Sequence, residues 1–279
     1  MIDSKTKLHA IYGQPVTHSL SPLIFNKTFE KLGVNRAYVG FDVPPKHLKP
    51  AVEAARALGF EGFNVTMPHK TTITRLLENL DRSARETGAV NTVARTSRGL
   101  TGYNTDGEGA LRAIRASGFD PKRKRVLVLG AGGAARALVH RISREAGEVL
   151  VLSRTSSRAK EAASRAEGKA KVSYDKLDPD ILEESVSKTD LLINATPLQT
   201  PALLDELGLS PSILKDKLSV FDLAYDEPPL PLPATVSRIS PLEMLVQQAA
   251  LSYEIWFDRP APLEFMRSTL SDDSTEGWK

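Results

Sequence analysis

The sequence predicts an α/β protein made of two consecutive domains, each built around a sheet that is mainly parallel. Short apolar segments typical of buried strands alternate with amphipathic segments typical of helices, which is the pattern of repeated β-α-β units. This alternation is interrupted near residue 105 and restarts after a helical segment. A chain of 279 residues with 41% hydrophobic residues is large enough for two separate cores.

The first domain is predicted to span residues 1–105 and to be completed by residues 241–279. Its parallel strands are expected at "LHAIYG", "AYVGFDV" and "GFNVT", with helices from Ser21 to Leu32 and near Leu48 to Leu58 between them. The segment "HKTTITRLLENL" is predicted to form another amphipathic helix, and "AVNTVAR" and "GLTGYNT" to form a hairpin. The helix "LEMLVQQAALSYEIWF" is expected to pack on this domain, and "STLSDDSTEGWK" to be a frayed tail.

The second domain is predicted to span residues 106–240. It begins with a helix from Asp106 to about Ser117 and continues with strands at "RVLVLG", "EVLVLSR", "DLLINAT" and "SVFDLAY". The following stretch, "YDEPPLPLPATVSRISP", is too rich in proline for regular structure and is expected to be a loop.

Composition limits the chemistry and the partners. The 37 basic and 34 acidic residues leave a net charge of +3, and the cluster "PKRKR" is interpreted as a solvated strand entry rather than a nucleic-acid patch, because no aromatic residues lie among the cations. With no cysteine and five scattered histidines, no metal site is expected. No signal peptide or membrane-spanning run is recognised, so a cytoplasmic location is expected.

A glycine-rich turn follows the first strand of the second domain. Gly130, Gly132 and Ala135 fit the G-x-G-x-x-A arrangement, and they lie between a strand and a helix. Glycines there permit a tight turn and let backbone amides approach a pyrophosphate at the helix N-terminus. The motif predicts a bound dinucleotide, against the alternative of a simple tight turn.

The end of the next strand distinguishes NADP from NAD. Sites that prefer NAD usually have a carboxylate there, but this strand ends in "LSRTSSR", with Ser153, Arg154, Thr155 and Arg158. Guanidinium groups bind phosphate and hydroxyls can complete its shell, so the sequence favours NADP. The alternative is a pair of solvated arginines at a helix start, where cations oppose the helix dipole unless an anion is bound.

Two polar segments of the first domain are candidates for substrate binding. Lys70 lies at the turn after the strand in "FNVTMPHK", where ligands bind in open α/β sheets, although it could also be an ordinary solvated lysine. Ser19 and Ser21 precede a helix in "GQPVTHSLSP". Ser21 could be a plain N-cap, but two hydroxyls beside free helix amides would also suit a carboxylate, and both interpretations stay open.

Several of these segments together resemble one enzyme family. The segments "GQPVTHSLSP", "FNVTMPHK", "GAVNT", "GYNTDG", "GAGGAARA", "SRT", "INATP" and "MLVQQAALSYEIW" occur in the order and spacing of the NADP-dependent shikimate dehydrogenase family. The resemblance covers nearly the whole chain. It implies a substrate-binding domain and a Rossmann-like NADP-binding domain with a cleft between them, and the NADPH-dependent, reversible reduction of 3-dehydroshikimate to shikimate.

The resemblance also implies roles for individual residues. The catalytic pair would be Lys70 and Asp106, with Lys70 as general acid. Substrate would be bound by Ser19, Ser21, Thr66, Lys70, Asn91, Asp106, Tyr225 and Gln248. The cofactor would be bound by Gly130, Ala131, Gly132, Gly133, Ala134, Ser153, Arg154, Thr155, Arg158, Ala195 and Thr196. Without the resemblance, each of three of these residues also has a structural explanation. Asn91 could close a turn, Asp106 could cap a helix, and Gln248 could be a polar residue on the surface of the last helix.

Two segments depart from the family pattern. The stretch Leu198–Thr200 replaces a common Gly-Met, and Pro241 takes the place of a glycine before the last helix, so one backbone donor to the nicotinamide is expected to be missing. Alternatives are a paralogue that acts on quinate or on an aminated analogue, and a non-catalytic NADP-sensing protein. The intact Lys70 and Asp106 argue against a sensor. The expected partner is a small molecule, and the chain is expected to be a monomer or a homodimer.

Overall fold

A computed structural model describes residues 2–225 and 229–270 of the chain. The chain forms two compact units, one comprising Met1–Thr105 and Leu245–Lys279 and the other Asp106–Met244. Each unit contains one six-stranded sheet. Within the described residues, no helix has both the length and the apolar character needed to cross a bilayer.

The strands alternate with helices along most of the chain, as the apolar periodicity predicts. The strands are β1 Lys7–Gly13, β2 Arg36–Asp42, β3 Gly62–Val65, β4 Asn79–Leu80, β5 Thr92–Thr96, β6 Gly99–Tyr103, β7 Arg125–Leu129, β8 Glu148–Ser153, β9 Lys171–Lys176, β10 Leu191–Asn194, β11 Ser219–Asp222 and β12 Ser237–Arg238. The helices are α1 Ser21–Lys31, α2 Leu48–Ala57, α3 Arg82–Thr87, α4 Asp106–Ala116, α5 Gly133–Ile142, α6 Ser156–Ala163, α7 Pro179–Val186, α8 Thr200–Glu206, α9 Pro241–Phe257 and α10 Leu263–Ser268.

The sheet of the first unit has the strand order β2-β1-β3-β5-β6-β4. β1 runs parallel to β2 and β3, and β4 runs parallel to β6, whereas β5 is antiparallel to both β3 and β6. The expected hairpin of β5 and β6 is therefore confirmed, and the sheet is mainly parallel.

The last long helix, α9, packs on this sheet as predicted. The indole Nε1 of Trp256 donates a hydrogen bond of 2.9 Å to the carbonyl of Val93 in β5. A Cβ on Gly62 of β3 would lie 2.3 Å from the same indole nitrogen, so only glycine allows this approach. These contacts fix the position of α9, the helix that carries Gln248.

The predicted helix over "HKTTITRLLENL" is wrong. Only Ile73–Arg75 forms a 3-10 turn, and β4 follows at Asn79–Leu80. The apolar residues of this segment occur at helical spacing, but its end pairs with the β5–β6 hairpin through both backbone and side chains. The Glu78 carboxylate accepts from Leu100 N at 3.0 Å, and the Asn79 amide donates to the Arg98 carbonyl at 2.7 Å. Tertiary pairing therefore overrides the local periodicity.

The sheet of the second unit has the order β12-β11-β10-β7-β8-β9, and all of its strands are parallel. This is the Rossmann-like arrangement that the sequence predicts. The prediction omitted β9, α7 and α8. It was also wrong that the proline-rich stretch has no regular structure, because β12 pairs with β11 there. Residues 226–228 of that stretch lie outside the described residues. Of the predicted tail, Ser268 ends α10, and residues 271–279 lie outside the described residues.

Candidate active site

One edge of the first sheet collects most of the predicted substrate residues. β1 and β3 are parallel and end side by side, with Tyr12 opposite Val65. β5 runs the other way and begins beside the end of β3, with Thr92 opposite Asn64. The residues that therefore follow or precede the strands at this edge are Ser19, Ser21, Thr66, Lys70 and Asn91.

The serines do not form the simple N-cap considered above. Ser21 is the first residue of α1, and the cap position is occupied by Leu20, which has no capping side chain. The hydroxyl oxygen of Ser19 instead accepts a bond of 3.3 Å from Ser21 N. Pro22 in the first turn has no N–H to satisfy. The N-terminus of α1 thus presents two hydroxyls beside backbone amides, an arrangement suited to a carboxylate.

Backbone contacts fix the turn that carries Thr66 and Lys70. The carbonyl of Thr66 accepts from His69 N at 2.9 Å, and the carbonyl of Lys70 accepts from Val90 N at 2.7 Å. A Cβ on Gly13 would lie 2.2 Å from the methyl group of Thr66, so the end of β1 lies directly against this turn. The buried ring of His69 lies with Nε2 2.6 Å from the carbonyl of Val43. Lys70 is half-buried at the end of this rigid turn.

Asn91 and Gln248 are joined directly. The Asn91 amide donates to Gln248 Oε1 at 3.3 Å and to the hydroxyl of Thr105 at 2.8 Å. Its Oδ1 accepts from Thr105 N at 2.8 Å, and the Thr105 hydroxyl donates to the Gln248 carbonyl at 3.3 Å. The side chain of Asn91 is 3% exposed, so its geometry is set by these bonds. Thr105 was not singled out from the sequence, although it lies in the motif "GYNTDG".

A second group of polar side chains supports this network, and sequence reasoning missed it. The amide of Asn64 in β3 donates to the Asn91 carbonyl at 3.1 Å and to the Ser252 hydroxyl of α9 at 3.0 Å. The Tyr38 hydroxyl donates to Asn64 Oδ1 at 2.8 Å. An asparagine within the apolar strand "GFNV" is the signal that could have revealed this group, because a polar side chain in a buried strand needs partners.

Asp106 and Tyr225 belong to the second unit. Asp106 is the first residue of α4, as predicted, and it is completely buried. It follows Thr105 directly in the chain, so its main chain is tied to a residue that Asn91 holds. Tyr225 is half-buried and lies three residues after β11. The pairing of Asp106 with Lys70, and the contact of Tyr225 with the substrate, stay predictions.

Close packing against α5 holds α4 in place. A Cβ on Gly107 would lie 2.5 Å from the carbonyl of Ala137. One residue later, the Glu108 carboxylate accepts from Arg141 Nε at 2.8 Å. Burial alone would raise the pKa of Glu108, but the hydrogen bond and the charge of Arg141 hold this pKa below its usual value. The first turn of α4, which carries Asp106, is thus clamped to the helix that follows the glycine-rich turn.

The glycine-rich turn has the geometry that a pyrophosphate site needs. Gly130 has φ +106°, and a Cβ there would lie 3.0 Å from the carbonyl of Ala195, so both the backbone conformation and the close contact require glycine. Gly132 has no atom within 4 Å of its Cβ position, which leaves open space in front of the turn. α5 begins at Gly133 with no side-chain cap on its first amides. These backbone amides fit an anionic dinucleotide.

The phosphate-binding candidates lie where parallel strand β8 ends. Ser153 is buried, whereas Arg154, Thr155 and Arg158 are exposed at the start of α6. Across residues 2–225 and 229–270, neither arginine has a carboxylate partner. The nearby Glu161 is bound instead to Arg136 of α5 at 2.8 Å. Two exposed cations at a helix N-terminus fit a bound phosphate better than a solvated pair, because the helix dipole disfavours them otherwise.

Ala195 and Thr196 form the loop after β10, which is the neighbour of β7 on the other side. The side chain of Asn194 fixes this loop, because its Oδ1 accepts from Thr196 N at 3.1 Å and from the Thr196 hydroxyl at 2.7 Å. Since β7, β8 and β10 are parallel, the glycine-rich turn, the arginines and this loop lie at one edge of the sheet. The structure therefore brings together, at one edge of the sheet, the residues that the family resemblance assigns to the cofactor.

These features define a class of protein. A parallel sheet with a glycine-rich turn and a basic strand end is typical of the dinucleotide-binding unit of an oxidoreductase. The other α/β unit, with hydroxyls, amides and a lysine at one sheet edge, is typical of a unit that binds a small polar molecule.

Comparison with known proteins identifies the family. Residues 11–93 match the shikimate dehydrogenase substrate binding domain, residues 113–228 match shikimate / quinate 5-dehydrogenase, and residues 242–270 match the shikimate 5'-dehydrogenase C-terminal domain. The shikimate dehydrogenase (NADP(+)) of Methanopyrus kandleri is 42% identical over 280 aligned positions, covering 96% of each chain. The chain belongs to the shikimate dehydrogenase family.

Solved structures of the family share the fold. A shikimate dehydrogenase crystallised with NADP+ is 33% identical, with a TM-score of 0.85, and the alignment covers 99% of this chain and 98% of the other. The enzyme of Thermus thermophilus in complex with NADP(H) and shikimate is 29% identical, with a TM-score of 0.79, and the alignment covers 94% and 98%. The expected fold class of two α/β units, one of them Rossmann-like, is confirmed.

Proposed function

We propose that the protein catalyses the reversible, NADPH-dependent reduction of 3-dehydroshikimate to shikimate. The observation that carries the proposal is the edge of the first sheet, where the serines at α1, the Thr66–Lys70 turn and the Asn91–Gln248 pair converge. A carboxylate, several ring hydroxyls and a carbonyl are the groups that such a set of side chains suits. Family membership supports the same reaction, and the dinucleotide site in the second unit supports the use of NADPH.

The second unit holds NADP in this proposal. The amides at the start of α5 bind the pyrophosphate, beside Gly130, Ala131, Gly132, Gly133 and Ala134. Arg154 and Arg158 bind the 2′-phosphate, with hydroxyls of Ser153 and Thr155 beside them. Ala195 and Thr196 bind the nicotinamide half. The bound cofactor supplies the hydride for the reduction.

The first unit binds and protonates the substrate in this proposal. Ser19 and Ser21 hold the carboxylate at the N-terminus of α1, with Tyr225 of the second unit as a further contact. Thr66, Asn91, Asp106 and Gln248 bind the ring hydroxyls. Lys70 donates a proton to the carbonyl oxygen as the hydride reaches the carbon, and it accepts that proton in the reverse direction. Asp106 orients the ammonium group of Lys70.

Initial rates with two substrates and two cofactors test the proposal. The purified protein should oxidise shikimate with NADP at a higher kcat/KM than quinate with NADP, and at a higher kcat/KM than shikimate with NAD. A higher kcat/KM for quinate would identify a quinate-oxidising paralogue. Binding of NADP without turnover of either substrate would instead support a sensor.

The proposal extends to two properties of the whole molecule. We propose a cytoplasmic location for the enzyme, which fractionation of the source cells tests. We propose a monomer or a homodimer, which analytical ultracentrifugation of the purified chain distinguishes.

The lack of an N–H at Pro241 leads us to expect that a crystal structure with NADP has no backbone hydrogen bond from Pro241 to the nicotinamide carboxamide.

A further inference from the structure

A buried carboxylate lies beneath the loop that follows β10. Asp222 is the last residue of β11, and 1% of it is exposed. Its Oδ1 accepts from Thr200 N at 2.7 Å, from the Thr200 hydroxyl at 2.6 Å and from the Asn194 amide at 2.9 Å. Asn194 and Thr200 are themselves buried and lie at the two ends of the loop. One carboxylate oxygen therefore ties both ends of the Asn194–Thr200 loop to the neighbouring strand.

The same carboxylate is linked to the proline-rich segment. Its Oδ2 is buried without a hydrogen-bond partner among the described residues, and Arg238 Nη1 lies 3.7 Å from it. Arg238 also donates to the carbonyl of Leu230, and Leu230 N donates to Gln199 Oε1 at 2.8 Å. The contacts form a closed ring from Asp222 through Thr200, Gln199, Leu230 and Arg238. The ring joins the loop after β10, which contains Leu198–Thr200, to the proline-rich segment that contains Leu230 and Arg238.

The strand order shows which half of a bound dinucleotide would lie beside this ring of contacts. The order β11-β10-β7-β8 places the basic end of β8 on one side of the glycine-rich turn and the loop after β10 on the other. A dinucleotide crosses such a sheet with its pyrophosphate at the central turn. If Arg154 and Arg158 hold the 2′-phosphate, the nicotinamide half must extend over the ends of β10 and β11. That is where the ring of contacts lies.

We propose that Thr200 and Asp222 are positioning residues for the nicotinamide half of NADP. The inference rests on the proposed function, because it assumes that Ala195 and Thr196 contact the cofactor. Asp222 and Thr200 touch no cofactor atom themselves in this view. They hold Asn194, whose side chain in turn holds Thr196 N and the Thr196 hydroxyl. The hydroxyl of Thr200 thus supplies an anchor within the segment Leu198–Thr200, where the family usually has other residues.

A matched series at Thr200 tests the inference. Thr200→Val keeps the shape of the side chain but removes the hydroxyl, and Thr200→Ser keeps the hydroxyl but removes the methyl group. Thr189→Val is the control, because its hydroxyl bonds the Ser185 carbonyl at 2.8 Å in the same unit, away from the loop. Binding is measured for NADP and for adenosine 2′,5′-bisphosphate, which has the phosphate-bearing half of the cofactor and lacks the nicotinamide half.

We expect Thr200→Val to weaken NADP binding and to lower kcat by about tenfold each, the usual scale for a lost hydrogen bond to a charged group. The dissociation constant of adenosine 2′,5′-bisphosphate should stay within about twofold, because the basic end of β8 is unchanged. Thr200→Ser should restore both NADP values to within about threefold of wild type. A loss of general stability would weaken both ligands together, which separates a positioning role from a merely structural one.

Two results would overturn the inference. One is unchanged NADP binding and kcat in Thr200→Val, and the other is an equal loss of affinity for both ligands. If Thr200→Val fails to fold, Thr200→Ala, which also keeps the backbone bond to Asp222, replaces it under the same criteria. Failure of the proposed function looks different, because the wild-type protein would then neither oxidise shikimate nor bind adenosine 2′,5′-bisphosphate, and the inference would fall with it.

Discussion

The two units present their recognition groups in opposite ways. In the first unit, the amides and hydroxyls of Asn91, Thr105 and Gln248 are bonded to one another. In the second unit, the groups are backbone amides at a glycine-rich turn and the exposed Arg154 and Arg158, which have no carboxylate partner among the described residues. A network that is already bonded suits a small ring held in one orientation, whereas exposed cations suit a large and highly charged ligand.

This difference predicts how substitutions in each unit should act. Groups in the first unit are fixed before the substrate arrives, so they can favour the transition state, and their loss should appear mainly in kcat. Groups in the second unit gain their partner only when the cofactor binds, so their loss should appear mainly in the KM for NADP. The predictions for Lys70 and for the two arginines test the two sides of this comparison.

The largest effect is expected at Lys70. Its contact with the carbonyl oxygen strengthens as negative charge develops there, so Lys70→Ala should lower kcat by roughly 10²–10⁴-fold, with a much smaller change in the KM for shikimate. Steady-state rates of NADPH formation from shikimate measure both constants. Lys49→Ala, which removes an exposed lysine of the same unit, is the control and should leave both constants unchanged.

Asp106 tests whether the proton donor has a partner. Asp106→Asn should weaken shikimate binding and lower kcat together, because the carboxylate both binds a ring hydroxyl and orients the ammonium. Combined with Lys70→Ala, it should be strongly non-additive, since each group depends on the other. A near-normal kcat in Lys70→Ala, with only KM raised, would make Lys70 a binding residue and would contradict the assignment.

The next largest effect is expected at the arginines of the second unit. Arg154→Ala and Arg158→Ala should each raise the KM for NADP by about 10- to 100-fold, since each removes a charge-assisted contact worth about 1.5–3 kcal/mol. The KM for NAD, which lacks the 2′-phosphate, should change little. Arg125→Ala removes an arginine that is paired with Glu148 on the same unit and serves as the control. Variants that keep the wild-type preference for NADP would refute the assignment.

The sequence predicts correctly those elements whose structure depends on residues close together in the chain. The glycine-rich turn was predictable because Gly130 must adopt φ +106° and the adjoining strand is continuously apolar. The helix expected at "HKTTITRLLENL" was wrong because its competitor, the edge of β6, is distant in sequence. Asn64, Thr105 and Asp222 were missed for the same reason, since their significance lies in partners that no local spacing reveals. Lys70 was a candidate because it follows a strand, but its catalytic role and the assignment of Gln248 came from the family resemblance.

The two glycines of the turn separate stability from binding within the second unit. Gly130→Ala forces a left-handed residue against the Ala195 carbonyl, so it should lower the free energy of unfolding by about 1–3 kcal/mol. Gly132→Ala adds a methyl group in open space, so it should leave this free energy nearly unchanged and weaken NADP binding instead. Urea unfolding without ligand and titration with NADP measure the two effects. Equal destabilisation by both substitutions would contradict the geometry.

The smallest effect is expected at a buried histidine that has no part in the proposed chemistry. His9 of β1 is packed against Trp256, with ring centroids 4.5 Å apart, and against Phe29 at 5.6 Å. Arg36 Nη1 lies 2.9 Å from His9 Nε2. Because a guanidinium can only donate hydrogen bonds, His9 Nε2 must be the acceptor and therefore carries no proton. Burial, with the charge of Arg36, lowers the pKa of His9 to about 3. His9 is therefore neutral in the folded protein at neutral pH.

The sign of the pH effect follows from this depressed pKa. A histidine that titrates near 6.5 when unfolded and near 3 when folded binds its proton more readily in the unfolded chain. The stability it confers is complete above about pH 6.5 and is lost at up to about 1.4 kcal/mol per pH unit as the pH falls toward 3. Urea unfolding at about pH 7 and about pH 5.5 should thus show a decrease in the free energy of unfolding. The decrease should be smaller in His9→Gln and unchanged in His47→Gln, whose histidine is exposed. If the variant does not fold, an NMR titration of the wild-type His9 ring decides, because a His9 pKa near 6.5 would contradict the prediction.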